Sequence, residues 1–443
     1  MPDQGGDVRD RVIDLGEVPA GAPDEAVLPR APLPYRWILG PLAVILLVAL
    51  GGAVPPAAPP PPPQVIPLTL RDAIRVDGDR LYLIGPGEPI GSAVRTHTIR
   101  AFALPGMTLS GTWTATIAGD ISSLTDAGDG ILLIASSTQN GAGAIGLTAV
   151  RAGSAEPLWR RAAGMFGLSG DRSTALVYDD TTDPGLAPLH GLDPATGKPR
   201  WTVSPPPQPG GWALRTGYFY TGFPSLVYTL WPDGRLEARE TRSGRITATT
   251  RTPLPVDRDT VLWVAGGLLM ITRGGDSIAY DDTTLAERWR GGPLAGPDGY
   301  LQDCGPMICA LLGQDSLAGI DPATGRQVWR QDGWDSHEPL GDQVLLGAAS
   351  RGDAELSVLD SRTGRITARA GAWINGGPGP RPGTAYVHRI LSIDNTMRYG
   401  VLDLTTGKVR LLGGAAWIAG DCRFSSGVLI CRRLDASAAV WRL

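Results

Sequence analysis

Two near-identical stretches of the chain decide the fold. Residues 319–329 read GIDPATGRQVW, and residues 191–201 read GLDPATGKPRW. In both, an apolar residue precedes an Asp, a Thr and a Gly follow at fixed distances, and a Trp closes the stretch. Such self-similarity between distant parts of one chain indicates a repeat protein, in which each repeat is one supersecondary unit.

Further copies of this motif surround the two stretches. Weaker copies are found at residues 279–289, 358–364 and 401–407, and degenerate copies at 102–113, 149–159 and 238–248. The Trp, or the residue aligned with it, falls at positions 113, 159, 201, 248, 289, 329, 368 and 411. The spacing is about 43 residues, which is the length of one four-stranded propeller blade.

The chemistry of the motif fits a tight turn between two strands. Asp and Thr side chains bond their own backbone two residues on, and Gly supplies a positive φ at low steric cost. The Trp then opens the next strand, with a large apolar face that can wedge between neighbouring blades. The motif residues predicted to be structural are Asp193, Thr196, Gly197, Trp201, Asp281, Trp289, Asp321, Thr324, Gly325, Trp329, Asp360, Thr363, Gly364, Asp403, Thr406 and Gly407.

The rest of the sequence agrees with an all-β fold. Short apolar runs such as 131–134 (ILLI) and 268–271 (LLMI) precede the motif copies, and 60 Gly and 39 Pro residues punctuate the chain as turns do. No helical periodicity follows residue 60, which argues against an α/β solenoid. The sequence therefore predicts a β-propeller of four-stranded blades.

A propeller has to remove its sheet edges, and the chain ends suggest how this one does so. Residues 427–443 form a partial unit after the last motif copy. A strand around Ile66–Ile74 is expected to complete that blade from the N-terminal side. Eight motif copies then favour eight blades, with nine as the open alternative.

An apolar segment precedes the repeats. Residues 37–54 (WILGPLAVILLVALGGAV) carry no charge, and eighteen helical residues span roughly 27 Å, close to the thickness of a hydrocarbon core. The 36 residues before them are acidic and too long for the n-region of a cleaved signal peptide, which is the alternative. The sequence predicts a single uncleaved transmembrane helix that serves as a signal anchor.

The charges beside this helix predict its orientation. Arg30 and Arg36 lie before it, and no charge follows it until Arg71, so the N-terminus is expected in the cytoplasm. We expect a disordered cytoplasmic segment at 1–36 and a Pro-rich, polyproline II linker at 55–67. Residues 68–443 would then form an extracytoplasmic propeller in the cell envelope.

The four Cys residues form two close pairs in that outer domain. Cys304 and Cys309 flank four residues, and Cys422 and Cys431 flank a turn about three repeats later. An even number of Cys outside the cytoplasm indicates disulfides, here one within a hairpin of each blade. A four-Cys zinc site and a redox-active Cys304–Cys309 pair are the alternatives.

The motif resembles the repeat of the pyrroloquinoline-quinone (PQQ)-like, or quinoprotein-type, β-propeller family, roughly Ala-x-Asp-x-x-Thr-Gly-x-x-x-Trp. The resemblance covers about residues 65–443 and is strongest in the two stretches quoted first. Within that family the chain is similar to membrane-anchored actinobacterial members and to the propeller lipoprotein of the outer-membrane barrel-assembly machinery. This resemblance implies an envelope propeller, although such a fold family indicates fold far better than function.

Enzymes of that family imply one alternative function, a PQQ- and Ca²⁺-dependent quinoprotein dehydrogenase. Their pattern includes adjacent cysteines over the quinone, a Ca²⁺ site and a catalytic Asp. This chain has no adjacent Cys pair, and residues 179–183 (DDTTD), expected in a solvated loop, lack the Gly and Glu of a calcium loop. His97, His190, His337 and His388 are dispersed without metal-ligand spacing. We therefore predict no catalytic residue, cofactor or metal.

The remaining function is binding. Forty Lys and Arg against 44 Asp and Glu give a net charge of −4, which lacks the basic stripe of a nucleic-acid-binding protein. We predict a non-catalytic scaffold that binds an envelope protein or ligand through its loops. The candidate surfaces are the loops Ile84–Ala93, Thr138–Gly146, Asp179–Pro188 and Gly376–Gly383, and the Trp residues outside the repeat slot, Trp212, Trp263, Trp334, Trp373 and Trp417.

Overall fold

The computed structural model describes residues 62–443 apart from short segments. The segments left out are 90–93, 138–144, 155, 181–186, 205, 208–210, 215–222, 292–299, 313–314, 335, 349–354 and 392–395. The predicted cytoplasmic segment 1–36, the predicted membrane helix 37–54 and most of the predicted linker 55–67 thus lie outside the described residues. Within the described part, no helix is long and apolar enough to cross a membrane.

The described residues form 37 strands in nine antiparallel sheets, which are the blades of a β-propeller. The first half of the ring contains β1 (Gln64–Ile66), which belongs to blade 9; β2 (Ala73–Asp77), β3 (Arg80–Ile84), β4 (Glu88–Pro89), β5 (Val94–Ala103) and β6 (Thr108–Ala118) in blade 1; β7 (Asp120–Gly128), β8 (Ile131–Ser137), β9 (Ile145–Arg151) and β10 (Pro157–Arg161) in blade 2; β11 (Ala163–Leu168), β12 (Ala175–Asp179), β13 (Leu189–Leu192) and β14 (Pro199–Val203) in blade 3; and β15 (Gly211–Leu214), β16 (Leu226–Leu230), β17 (Arg235–Glu240) and β18 (Ile246–Arg251) in blade 4.

The second half of the ring has the same make-up. It contains β19 (Thr260–Ala265), β20 (Leu268–Arg273), β21 (Asp276–Asp281) and β22 (Glu287–Gly291) in blade 5; β23 (Tyr300–Cys304), β24 (Met307–Leu311), β25 (Ser316–Ile320) and β26 (Gln327–Asp332) in blade 6; β27 (Ser336–Leu340), β28 (Gln343–Ala348), β29 (Glu355–Asp360) and β30 (Ile366–Gly371) in blade 7; β31 (Ile374–Pro378), β32 (Thr384–Leu391), β33 (Thr396–Asp403) and β34 (Val409–Ala415) in blade 8; and β35 (Ile418–Ser425), β36 (Val428–Arg433) and β37 (Ala438–Arg442) in blade 9.

Strand order within the blades is simple. In blades 2 to 8 the four strands follow one another in the chain and pair in that order. Blade 1 adds the two-residue strand β4 beside β5. First strands of neighbouring blades contact one another, for example β2 with β7 and β35, and β19 with β15 and β23. The first strands therefore surround the axis of the ring.

The ring closes through the two ends of the described chain, as the sequence predicts. Blade 9 contains β35, β36 and β37, and its fourth strand is β1, with Gln64 paired to Val440 and Ile66 to Ala438. Arg432 strengthens this seam, because its guanidinium donates hydrogen bonds to the carbonyl oxygens of Thr69 and Asp72. The closing strand is shorter than expected, since Ile74 belongs to β2 of blade 1.

The predicted number of eight blades is wrong, because the structure has nine. The repeat motif is the turn that joins the third strand of a blade to its fourth. In blade 9 the fourth strand comes from the other end of the chain, so no such turn exists there. Counting motif copies therefore counts blades 1 to 8 and misses the closing blade.

The turns sort onto two faces of the ring. The motif turns lie on the same face as the turns between first and second strands. Ser361 and Leu404, in the motif turns of blades 7 and 8, donate their N–H groups to carbonyls in those first-to-second turns, at Asp342 and Gly383 respectively. We call this the motif-turn face. The other face carries the connections between second and third strands and between successive blades.

The hydrophobic core is divided among the blade interfaces. Nine clusters of buried side chains occur in the described residues, and each contains residues from two neighbouring blades. Leu132 and Tyr82 belong to the cluster between blades 1 and 2, and Val440 and Leu81 to the one between blades 9 and 1. Each sheet thus buries both of its faces, and no blade has a core of its own.

Motif Trp residues connect several blades to the next. Trp159 donates its Nε1–H to the carbonyl of Pro194 at 2.8 Å, and Trp289 donates to the carbonyl of Pro322 at 2.8 Å. Each acceptor directly follows the motif Asp of the following blade. Trp329 donates in the same way to Ser361 at 2.7 Å. The predicted wedge between blades is confirmed.

The motif Gly makes room for that ring. Gly325 has φ +69°, and a Cβ built there would lie 2.7 Å from Cζ3 of Trp289. We expect Gly325→Ala to lower the free energy of unfolding by about 2–4 kcal/mol, through the left-handed backbone and overpacking together. Urea unfolding of the purified chain measures this loss.

Gly371→Ala is the matched control. Gly371 has φ +77°, but a Cβ there meets no atom within 4 Å, so the expected loss is only the backbone cost of about 1–2 kcal/mol. Equal losses in the two variants would show that contact with the Trp ring does not constrain the motif Gly.

Candidate functional site

The motif aspartates cap their own turns. Asp193 Oδ1 accepts hydrogen bonds from the backbone N–H groups of Ala195 at 3.0 Å and Thr196 at 3.1 Å. The same kind of turn is built on Asp281, Asp321, Asp360 and Asp403. These carboxylates therefore serve the fold, and the predicted motif residues lie where a structural role requires them.

Hydrogen bonds to these carboxylates stabilise their charged form. The Arg288 guanidinium, 2.6 Å away, holds the pKa of Asp281 well below its usual range. Arg200 lowers the pKa of Asp193 in the same way. The Thr363 hydroxyl lowers the pKa of Asp360, and the Thr406 N–H lowers that of Asp403.

Both predicted disulfides are present. Cys304 bonds to Cys309, and Cys422 bonds to Cys431. Each bond joins the first and second strands of its own blade, blades 6 and 9, three repeats apart as expected. All four Cys of the chain are used, so the alternative of a thiolate zinc site is wrong. Cys304 and Cys309 are fully buried, whereas a redox-active pair needs exposure.

Asp179 lies in a polar cluster between blades 2 and 3. Arg161 Nη2 donates to Asp179 Oδ1 at 2.7 Å and lies 2.8 Å from His190 Nε2, while His190 Nδ1 lies 2.9 Å from Thr202 Oγ1. Burial raises the pKa of Asp179, but the hydrogen bonds from Arg161 and His190 outweigh it, so the pKa lies below its usual range. The sequence predicted residues 179–183 to lie in a solvated loop. Asp179 is half-buried at the edge of that loop, and residues 181–183 lie outside the described part.

Asp179, His190 and Thr202 stand in the order of a nucleophilic triad. His190 Nε2 lies 3.1 Å from Asp179 Oδ2 as well as 2.8 Å from Arg161 Nη2, and these two contacts require opposite tautomers of the ring. Arg161, from blade 2, also pairs with the carboxylate of Asp179 in blade 3. The cluster joins two blades.

The other His residues lie in separate places in the ring. His97 Nδ1 lies 2.8 Å from the carbonyl oxygen of Gly85. Burial lowers the pKa of His337 to about 4, and burial also lowers that of His388, whose ring lies 5.9 Å from the ring of Phe424. In the described ranges, no three His, Cys, Asp or Glu side chains are grouped as metal ligands.

The loops proposed from sequence as binding surfaces are only partly described. Large parts of Ile84–Ala93, Thr138–Gly146 and Asp179–Pro188 lie outside the described residues. Gly376–Gly383 is described: it ends β31 and forms the turn to β32.

Most of the Trp residues outside the repeat slot pack between blades. Trp334 and Trp373 are buried, and Trp263 is half-buried with its ring 6.4 Å from that of Tyr300. Trp212 is in β15, and its side chain is not among the described ones. Trp417 differs from these residues, because 64% of it is exposed.

Trp417 and two exposed Leu residues lie on the same face of the ring, at the closing blade 9. Leu434 donates its N–H to the carbonyl of Trp417 at 2.8 Å and is 48% exposed. Leu70 is 79% exposed. It follows Thr69, whose carbonyl oxygen accepts a hydrogen bond from Arg432. We call Leu70, Trp417 and Leu434 the Trp417 patch. It lies opposite the motif-turn face, where the connections between blades run.

Sequence reasoning found Trp417 but missed its two neighbours. Leu434 begins the polar turn Asp435-Ala436-Ser437, and Leu70 is followed by Arg71 and Asp72. An isolated Leu among turn residues is a weak signal of exposure. Only ring closure brings residues 70 and 434 to the same seam.

Comparisons with known proteins give similarities of fold. No protein-family model and no curated protein sequence matches the chain. Among solved structures, the chain is similar to the computationally designed protein Ika8, with 15% identity over 73% of this chain and 96% of that one and a TM-score of 0.41. It is also similar to BamB from Moraxella catarrhalis, with 18% identity over 72% and 96% and a TM-score of 0.36.

A third similar structure is the C-terminal WD40 domain of Sif2, with 10% identity over 73% of this chain and 99% of that one and a TM-score of 0.37. Because all three TM-scores are low, the assignment of the propeller fold rests on the strand pairing described above. The PQQ-like repeat family remains a prediction from the motif.

Acid should weaken the motif turns. The folded-state pKa of Asp281 lies below that of the unfolded chain, so its contribution to stability is present above about pH 4 and is lost as pH falls through the folded pKa. We expect Asp281→Asn to lower stability at neutral pH and to make the acid side of the stability curve shallower. Unfolding free energies at several pH values test this.

Asp342→Asn serves as the control, because Asp342 is 70% exposed and its nearest cation, Arg362, is 3.8 Å away. This variant should keep the acid dependence of the parent chain. The same slope in all three proteins would contradict a role of the motif carboxylates in acid unfolding.

The disulfides should stabilise the ring modestly, since both close short loops. Sequence separations of 5 and 9 correspond to about 2–2.6 kcal/mol each in the chain-entropy treatment. Cys304→Ala with Cys309→Ala should remove about that much, measured by urea unfolding. Reductant should destabilise the parent chain and leave a variant without all four Cys unchanged. Free thiols that react with an alkylating agent in the unreduced, denatured protein would contradict the pairing.

Proposed function

We propose that this protein is a membrane-anchored, extracytoplasmic β-propeller that acts as a non-catalytic scaffold and binds a protein of the cell envelope through the Trp417 patch. The observation that carries this proposal is an exposed Trp with two exposed Leu residues at one seam. A large aromatic side chain among apolar neighbours is the usual centre of a protein interface.

The backbone at Trp417 supports this role. Its φ is +64°, a region that costs an L-residue about 1–2 kcal/mol, and the hydrogen bond from Leu434 holds it there. A strained residue whose side chain is exposed supports a role in binding.

The surroundings of the patch match the rim of an interface. Asp421 is exposed, and its Oδ2 lies 3.5 Å from Nε of the mostly buried Arg432. A polar rim beside an apolar centre is the common anatomy of a protein interface. The chain also enters the ring through β1 at the motif-turn face, so the patch lies on the face away from that point.

One observation and one sequence prediction support the proposed location. Disulfides persist in oxidising compartments, and both pairs of Cys in this chain are bonded. The predicted membrane helix at 37–54 supplies the anchor in this proposal. Together they support an outer-face propeller on a single membrane helix.

Site-specific photocrosslinking in native membranes tests the proposal. A photoreactive side chain at position 417 should capture one protein of defined mass, and Val328 is the control position, because it is 54% exposed on an outer strand away from the patch. Trp417→Ala should reduce co-purification of that protein by roughly tenfold or more, as for an interface hot spot, with unchanged thermal stability.

Two outcomes would contradict the proposal. One is capture of the same proteins from positions 417 and 328. The other is quinone-dependent dye reduction by the full-length chain after addition of PQQ and Ca²⁺, which would favour the quinoprotein dehydrogenase instead.

A further inference from the structure

A cavity of about 230 Å³ opens on the motif-turn face where blades 1, 2 and 3 meet. Its walls come from three elements: the turn between β2 and β3, the end of β7, and the turn between β11 and β12. It is separate from the Trp417 patch, which lies on the other face. Sites for drug-sized ligands run from about 300 to 1,000 Å³, so this cavity suits a smaller, ring-sized molecule.

A fixed ion pair forms one wall of the cavity. Asp126, only 14% exposed, lies 2.8 Å from Arg80 Nη2 and 3.7 Å from Arg172 Nη1. The N–H of Gly128 donates to the same carboxylate at 2.8 Å. The contacts with Arg80 and Gly128 hold the Asp126 carboxylate in place, so the hydrogen-bonding directions of Asp126 and Arg80 are preorganised.

Two buried polar atoms at the cavity have no hydrogen-bond partner among the described residues. They are the hydroxyl of Tyr82, a residue with no exposed surface, and Nε of Arg80. Most buried polar groups in folded proteins are paired, so each exception requires an explanation. Burial, followed by the charges of Asp126 and Asp77, raises the pKa of Tyr82, which keeps its hydroxyl protonated as a donor.

A second buried tyrosine offers a comparison for Tyr82. Tyr228 holds the same place as Tyr82, third in the second strand of its blade. Its hydroxyl donates to the carbonyl of Asp282 in the next blade at 2.8 Å. Tyr82 instead lines the cavity, and its hydroxyl has no hydrogen-bond partner among the described residues.

The charges around the cavity select against a strongly charged ligand. Three carboxylates, those of Asp77, Asp79 and Asp126, would repel an anion. The guanidinium groups of Arg80 and Arg172 would repel a compact cation. Burial, with the charges of Asp79 and Asp126, raises the pKa of Asp77. A neutral ligand with several hydroxyl groups can donate to carboxylates and accept from guanidinium and phenol at once.

We propose that this cavity binds the ring of a neutral sugar or cyclic polyol, held by Asp126, Arg80, Arg172 and the Tyr82 hydroxyl. This site goes beyond the proposed partner docking and does not depend on it, because the two lie on opposite faces. One hydroxyl group of the sugar ring accepts a hydrogen bond from the Tyr82 phenol, and another donates to the carboxylate of Asp77.

Saturation-transfer NMR and titration of the full-length chain test the proposal. The probes are glucose, mannose, N-acetylglucosamine and myo-inositol, with maltose and chitobiose to separate a free ring from the end of a glycan. We expect at least one neutral probe to bind with a Kd in the millimolar range. Tyr82→Phe should weaken that binding about tenfold, the effect of one hydrogen bond, and leave thermal stability unchanged.

Tyr228→Phe is the matched control. It removes an equally buried hydroxyl that is already bonded, so it should lower thermal stability and leave sugar binding as in the parent chain. Asp126→Asn should weaken binding as Tyr82→Phe does. The proposal is overturned if no neutral probe binds, if spermidine or inorganic phosphate binds more tightly than every neutral probe, or if Tyr82→Phe binds like the parent chain.

Discussion

The contact on which the rest of the structure depends is the Trp that reaches from the last strand of one blade to the motif turn of the next. In blades 2, 5 and 6 its Nε1–H satisfies a backbone carbonyl in that turn. Its ring fills the space left by a Gly, as Trp289 does at Gly325. Because every sheet buries both faces against neighbours, a blade has no core of its own. The ring is therefore stable only when closed.

The repeat tolerates the loss of its Trp where another side chain supplies the bulk. The slot of blade 7 holds Ala368, and a Cβ at Gly407 of blade 8 would lie 2.6 Å from the Cβ of Ala368. The cluster between these blades contains Trp373, which lies outside the repeat slot. Burial of a large ring at each interface thus matters more than the position from which it comes.

Both surfaces proposed for binding lie where the repeat is interrupted. The Trp417 patch forms at the seam between blade 9 and the segment that leads into blade 1, where Arg432 clamps the chain. The cavity lies beside blade 1, where Tyr82 lacks the cross-blade hydrogen bond that Tyr228 makes. At both places, side chains that do not join neighbouring blades are available for other molecules.

The sequence by itself determined the repeat unit, the carboxylate-capped turn, the Trp wedge, both disulfides and the closure through the chain ends. Each depends on residues that are near in sequence or recur at a fixed spacing, so local chemistry reveals them. Only the tertiary structure decided that there are nine blades, because the closing blade takes its fourth strand from the other end of the chain and lacks the motif. Tertiary structure also decided that Trp417 is exposed while Trp373 is buried. It also placed Tyr82, Asp126 and Arg172 around the same cavity. Such groupings arise from packing between blades, which no local pattern encodes.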